Sequence, residues 1–457
     1  MLKQTVQTIF VRGCEKVSPK ILKDIVRVRE SALDIRVKDK THTFPLCVQS
    51  RIYVVAFGKA SIGMTKVIEE SLGSSFTDGI VIAPESMTIV SMKSKIYLAG
   101  KNNLPDENSV SSTKKVLEFL KQIDSPDSIV LFLISGGGSA LLCSPNKVSL
   151  SEKLETIKLM VKQGASIQQL NTIRQHLSEV KGGKLLSKLL KSKVISLILS
   201  DIIGDPIDLI ASGPTVIPRG NKGNPFLLLQ SLSIPVKELP PSVKLQLSSL
   251  ETEAEAEINN PSNFIVINNE LILEEVRTSL TEQGFQSHVV TNKLSGDATE
   301  RGREFAQLIS SNSQNFEETL LKLHSIRIPW GFSKLALVFG GETTVKLKGS
   351  GCGGRNQEMV LSCLKHLKSY FSSFCFSFLF MSVGTDGLDG PNNAAGAIIT
   401  EDDVSKADLD QCENSLNNSD SYNFWKTFNQ GLSHVVIGPT GTNVMDVQIL
   451  LLTVNKA

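Results

Sequence analysis

Residues 129–139 read IVLFLISGGGS. The apolar run shows no polar alternation and is too short for an ordinary helix, so it predicts a strand buried on both faces. It closes in Ser135, Gly136, Gly137, Gly138 and Ser139, and an apolar stretch follows. A glycine-rich turn between a strand and a helix offers backbone N–H groups to a phosphate or a carboxylate. The same residues also suit a tight, closely packed turn. The turn is not G-x-G-x-x-G, and no G-x-x-x-x-G-K-[ST] occurs in the chain. The turn therefore supports a dinucleotide fold poorly, and the chain carries no P-loop.

The pattern repeats outward from this stretch. Residues 52–57 (IYVVAF) read as a strand ended by Gly58 and Lys59, and 61–72 as a helix. Residues 79–83 form another short strand, 110–123 are amphipathic, and 194–199 (VISLIL) are closed by Ser200 and Asp201. Strands alternating with helices predict βαβ units and a mainly parallel sheet. Ligands of such sheets sit beyond the carboxyl ends of the strands. Lys59 would there neutralise phosphate oxygens or hold a carboxylate, unless it is a surface lysine in a turn. Asp201 would bind a metal, orient a hydroxyl or cap a helix. Arg174, in NTIRQH ahead of KGGK, offers a bidentate fork to an anion or belongs to a solvated basic helix face.

Residues 218–261 are rich in proline, glycine and serine and contain ETEAEAE, which predicts a domain junction. A second α/β pattern begins at 264 (FIVINN). It continues with a helix over 270–282, a strand over 288–291, a helix over 297–309, a polar excursion over 311–333 and a strand over 335–339. Two further segments carry chemistry: 337–361 (LVFGGETTVKLKGSGCGGRNQEMVL) and 381–397 (MSVGTDGLDGPNNAAGA). Clustered glycines cradle anions, and Glu342, Asp386 and Asp389 are hard acids suited to a divalent cation. Arg355 and Asn356 open a helical run, which sets a guanidinium beside a helix N-terminus. Asn443, in the polar turn at 440–443, would ligate a metal or fix the loop.

The bulk numbers are those of a globular chain. At 457 residues two domains are expected, and 41% hydrophobic and 21% charged residues are ordinary values. A net charge of +2 favours neither nucleic acid nor an acidic membrane surface. The seven cysteines form no C-x-x-C pair and suggest free thiols in a reducing compartment. The nearest candidate for a membrane span, 371–383, is shorter than the roughly 18 residues required and broken by serines, and reads as a buried strand with its approach. The basic N-terminal stretch has the composition of a transit peptide, but Val6, Ile9, Phe10 and Cys14 share one helical face and predict a docking helix. A cytoplasmic location is expected, with mitochondria as the alternative.

Seven segments carry a family resemblance: VVAFGKAS, LISGGGSALL, NTIRQHLSEVKGGKL, LSDIIGDPIDLIASGPT, GGETTVKLKGSGCGGRNQEM, GTDGLDGPNNAAGA and GPTGTNV. In content and order the chain resembles the class II glycerate kinases of the MOFRL type. That resemblance implies ATP-dependent transfer of phosphate to D-glycerate with Mg²⁺, the 2-phosphate favoured over the 3-phosphate. It implies a Rossmann-like three-layer α/β domain over 1–245 with a mainly parallel sheet. A second α/β domain over 260–457 would contain the MOFRL region at about 335–452, with the active site in the interdomain cleft. The family's catalytic lysine, arginine and aspartate carry over to Lys59, Arg355 and Asp386. Asp201, Glu342 and Asp386 are the metal candidates. Ser135, Gly136, Gly137, Gly138, Ser139, Arg174, Asp201, Glu342, Asn356 and Asn443 are the expected substrate or phosphate contacts. Oligomeric state stays open, a homodimer included.

The chain departs from the family pattern at 101–106 (KNNLPD), where many bacterial members carry His-Pro, and in the longer excursion at 311–333. It also lacks the usual acidic, threonine-bearing turn after Pro218. The longer loops and NNLPD resemble animal members. The rival reading is an NAD(P)H-dependent hydroxypyruvate reductase. It suits the substrate class and a Rossmann-like domain but lacks a G-x-G-x-x-G followed by a ribose-binding acid.

Overall fold

The computed structural model describes residues 2–101, 104–217, 223–249, 260–369 and 375–454. The chain divides into two compact units. One comprises Pro19–Ser200 and Asp205–Ile267; the other comprises Met1–Ser18, Asp201–Gly204 and Asn268–Ala457.

In the first unit, strands β1 (Val26–Arg29), β2 (Ala32–Val37) and β3 (Lys40–Pro45) form a small antiparallel sheet. Six further strands follow: β4 (Arg51–Phe57), β5 (Phe76–Pro84), β6 (Lys95–Ala99), β7 (Ser128–Ile134), β8 (Lys193–Leu199) and β9 (Ser262–Ile267). All six are parallel, in the order β6-β5-β4-β7-β8-β9. Every residue of β7 is buried, as an unbroken apolar run in a doubly covered sheet must be. Counted from β4, the order is 3-2-1-4-5-6, that of the doubly wound nucleotide-binding folds. The sheet changes winding direction between β4 and β7, so the turns after Phe57 and Ile134 open at the same switch point.

The second unit holds β10 (Gln286–Leu294), β11 (Lys334–Gly341), β12 (Phe376–Gly384), β13 (Gly396–Thr400), β14 (His434–Val435) and β15 (Asp446–Val454), in the order β10-β11-β15-β12-β13-β14. Only the β10/β11 pair is parallel. The last strand in sequence is central because its apolar run, VQILLL, must be covered on both edges. Helix Arg355–Ser369 lies against this sheet and is buried along most of its length.

Two segments differ from the sequence reading. The excursion at 311–333 contains helix Phe316–His324. Phe316 inserts into an aromatic cluster with Trp330, Phe332 and Phe376 at centroid distances of 5.9, 5.4 and 5.8 Å, and this contact outweighs the polar local sequence. The junction at 218–261 contains helices Pro225–Ser231 and Pro241–Ser248. Their prolines start helices rather than break them, because the first helical position needs no N–H donor. Leu229, Val243 and Leu247 pack there with Met160, Ile173 and Leu177. Residues 218–222 and 250–259 of the junction, and Asn102 and Asn103 of the KNNLPD segment, lie outside the described residues.

The expected N-terminal helix is Leu2–Lys16, with Val6, Ile9, Phe10 and Cys14 buried. It groups with Asn268–Ala457 rather than with the segment that follows it. Lys3 Nζ pairs with Asp403 at 2.6 Å and donates to Ser433 Oγ at 2.9 Å. Gly13 lies against Ile272 and Val276 of helix Asn269–Glu282. Among the described residues, no helix is long and apolar enough to cross a membrane.

Candidate active site

The switch point of the parallel sheet brings two predicted motifs together. Lys59 N donates to Gly136 O at 2.8 Å, and Ala60 N donates to Ser135 Oγ at 3.0 Å. Gly137 adopts φ +77°, and a Cβ there would sit 3.2 Å from Lys59 Cγ. Only glycine meets both conditions without strain. The lysine stem thus lies across the glycine turn, while Lys59 itself is exposed. The N–H groups of Gly136 and Gly137 have no acceptor among the described residues. An exposed ammonium beside free backbone donors is an arrangement for an anion.

The far end of the turn is braced from behind. Ser139 Oγ lies 2.9 Å from Ser212 Oγ, which donates to Asn171 Oδ1 at 3.0 Å. Arg174 Nη1 donates to the same Asn171 oxygen at 3.4 Å. Arg174 is half-buried, and burial presses its pKa down from the ordinary arginine value. The solvated basic face is therefore not what the helix presents at this position. Ala211 and Ser212 hold positive φ values of +51° and +64°, and Ala211 packs against Gly138. Non-glycine residues in that region store strain, which clusters at functional sites.

In the second unit the remaining motifs meet at adjacent strand ends. Residue pairing sets Gly341 at the end of β11 and Gly384 at the end of β12 on either side of Asp446, the first residue of β15. Glu342 and Asp386 follow those two glycines. Arg355 Nε and Nη2 donate to the two Asp446 oxygens at 2.6 and 2.8 Å, and Nη1 lies 3.2 Å from Glu342. Asp446 is wholly buried, whereas Arg355 keeps 29% of its side chain exposed. Burial raises the Asp446 pKa, and the guanidinium opposes it. Burial also pushes Glu342 upward; Arg355 opposes this, while Asp446, Asp201 and Asp386 reinforce it. Asp386 is half-buried, with Oδ1 accepting from Leu388 N at 3.0 Å.

The helix that carries Arg355 is fixed by Asp389, a buried acid that accepts from Asn356 N at 3.0 Å and Gln357 N at 2.8 Å. Burial pushes its pKa up to about 6 against those amide bonds. The Asn356 side chain is spent internally, donating to Asp389 and accepting from Ser382 Oγ at 2.6 Å. Asn443 Oδ1 accepts from Met445 N at 3.2 Å and shapes its own turn. The Asn356 amide is thus engaged through both its nitrogen and its oxygen, and the Asn443 oxygen within its own turn. Asp446 was not among the expected site residues; its signal is a lone acid heading the apolar run VQILLL.

Among the described residues, no group of three or more His, Cys, Asp or Glu is placed to hold a metal ion. The metal candidates Asp201, Glu342 and Asp386 thus form no all-protein cage. Yet Asp201, Asp386 and Asp446 all add to the negative field at Glu342, and Arg355 opposes them. Such crowding fits a cation held by one or two carboxylates, with phosphate and water completing its shell.

Residues 5–248 match DUF4147, a domain of unknown function, and residues 335–446 match the MOFRL family. The chain is 46% identical to an uncharacterised Caenorhabditis elegans protein over 98% of this chain and 99% of that one. It is 36% identical to the D-glycerate 2-kinase of Thermotoga maritima, over 90% of this chain and 93% of the relative. It is 33% identical to the glycerate kinase of Rattus norvegicus, over 98% and 93%. The crystal structure of the Thermotoga maritima glycerate kinase aligns with a TM-score of 0.79 at 31% identity, covering 99% of both chains.

Proposed function

Because the chain belongs to the MOFRL family of glycerate kinases, we propose that it transfers the terminal phosphate of ATP to the 2-hydroxyl of D-glycerate. The observation that carries this reading is a likeness to a D-glycerate 2-kinase over 90% of the chain. Lys59, the glycine turn, Arg355 and Asp386 all fall within the matched families.

The chemistry asks for positioning and charge neutralisation rather than covalent help from the protein. Lys59 and the free N–H groups of Gly136 and Gly137 hold an anionic group of the substrates. Lys59 is the cation that neutralises the transferring phosphoryl group. Arg355 gives Nε and Nη2 to Asp446 and faces Glu342 with Nη1. Its remaining N–H donors then meet glycerate or phosphate in one fixed orientation. Asp386, with Oδ1 tied to the Leu388 amide, orients the attacking hydroxyl or takes its proton through the other oxygen. One or two of Asp201, Glu342 and Asp386 would hold Mg²⁺, which supplies neutralisation of phosphate charge when bound. The acid excess around Arg355 supports that need, since a phosphate meets net repulsion there without a cation.

The test measures ADP release with and without D-glycerate, beside NADH oxidation with hydroxypyruvate in the absence of ATP. ADP release that requires D-glycerate is expected. NADH oxidation without such ADP release would sink the reading in favour of a reductase.

A further inference from the structure

Lys181 is 1% exposed and Lys153 is 3% exposed. Lys181 Nζ donates to Ser139 O at 2.6 Å, Ser139 Oγ at 3.1 Å and Leu142 O at 3.2 Å. All three of its protons therefore point at the end of the glycine turn and the short helix Gly138–Leu141 that follows it. Lys153 Nζ donates to Cys143 Sγ at 3.4 Å, one residue beyond Leu142. Arg174 reaches the same turn through Asn171 and Ser212. None of the three cations makes an ion pair among the described residues. Burial is the main influence on the Lys181 pKa and moves it well down; Lys153 and Arg174 add to this, and Cys143 opposes it.

Buried positive charge without a carboxylate is expensive unless something compensates it. Carbonyl and hydroxyl acceptors solvate Lys181 but bring no negative charge, so its charged form, disfavoured by burial, gains from an anion bound nearby. These side chains lie behind the glycine turn, whose free N–H groups also seek negative charge. We propose that Lys181 is a positioning residue of this turn and that Lys181, Lys153 and Arg174 together supply the counter-charge for a substrate anion, phosphate or carboxylate, bound at 135–139. This inference rests on the reading that the glycine turn holds an anion. It adds that the attraction comes from behind the turn, from side chains that never touch the ligand.

The experiment is calorimetric titration of the full chain with ADP and, separately, with D-glycerate. The variants are Lys153→Met, Lys181→Met and Gly137→Ala. Lys153 bonds only a thiol, so Lys153→Met keeps the packing and removes charge alone. It is expected to weaken one of the two ligands by roughly tenfold, leave the other unchanged and leave the melting temperature near wild type. Loss of ADP affinity assigns the anion as phosphate; loss of glycerate affinity assigns it as carboxylate. Lys181→Met is expected to weaken the same ligand further; if that variant does not fold, Lys153→Met carries the test alone. Wild-type affinity for both ligands in Lys153→Met overturns the inference, and so does equal weakening of both. Gly137→Ala separates the two levels. If it weakens one ligand while Lys153→Met weakens none, the counter-charge idea fails and the anion-binding turn survives. If it too weakens neither, the reading of the turn itself fails.

Discussion

Asp446→Asn exchanges one oxygen for an NH₂ group and removes a charge from a wholly buried position. In the native chain that carboxylate accepts from Arg355 at 2.6 and 2.8 Å. Removing one partner of a buried pair costs about 3–5 kcal/mol. Arg355 keeps 29% exposure and its contact with Glu342, and asparagine retains one acceptor, so a stability loss of about 2 kcal/mol is expected. The larger consequence is for catalysis, because the freed guanidinium no longer presents one fixed orientation. A fall in kcat/KM of about 100-fold is expected, equivalent to about 2.7 kcal/mol of transition-state stabilisation. The assay couples ADP release to a spectrophotometric readout, beside urea unfolding of the same preparations. If Asp446 acts through Arg355, adding Asp446→Asn to an Arg355→Met background lowers kcat/KM by less than about threefold. Two effects that multiply independently, or near-normal turnover in the single variant, would refute the reasoning.

Three further perturbations follow from the same geometry. Asp386→Asn should lower kcat by about 100-fold or more with little change in D-glycerate affinity; wild-type single-turnover rates in a rapid-quench experiment exclude it as an essential base. Chelation by EDTA should abolish turnover and added Mg²⁺ should restore it, whereas full activity in EDTA contradicts the cation assignment. Asp389 has a folded-state pKa of about 6 against an ordinary value of 3.8, so the folded chain binds its proton more tightly than the unfolded chain. Its stabilising contribution is complete below the unfolded value and is lost as pH rises through about 6. Asp389→Asn should therefore flatten the pH dependence of urea stability between about pH 4 and 6, by an amount on the order of 2 kcal/mol; an unchanged profile argues against the raised value.

The buried strands were readable because parallel sheets demand unbroken apolar runs, and the polar turns that end them followed directly. Their spatial order was not readable, since pairing between distant strands leaves no local trace. That order is what brings Lys59 onto Gly137. The local sequence of Lys181, KGGK, is polar and gives no sign of burial; tertiary contacts with Ser139 and Leu142 alone explain it. Asp446 was passed over for the opposite reason. A single acid before VQILLL resembles a strand boundary, and only its pairing with Gly341 and Gly384 reveals it as the anchor of Arg355. The prolines at 225 and 241 misled because the same residue that breaks a helix interior also begins one.

Phosphorus NMR of the product formed from ATP, Mg²⁺ and D-glycerate tests the central claim most directly. The account predicts a phosphate monoester coupled to the single C2 proton of glycerate. A phosphate coupled to the two C3 protons contradicts the 2-hydroxyl assignment, and unchanged ATP contradicts the kinase itself.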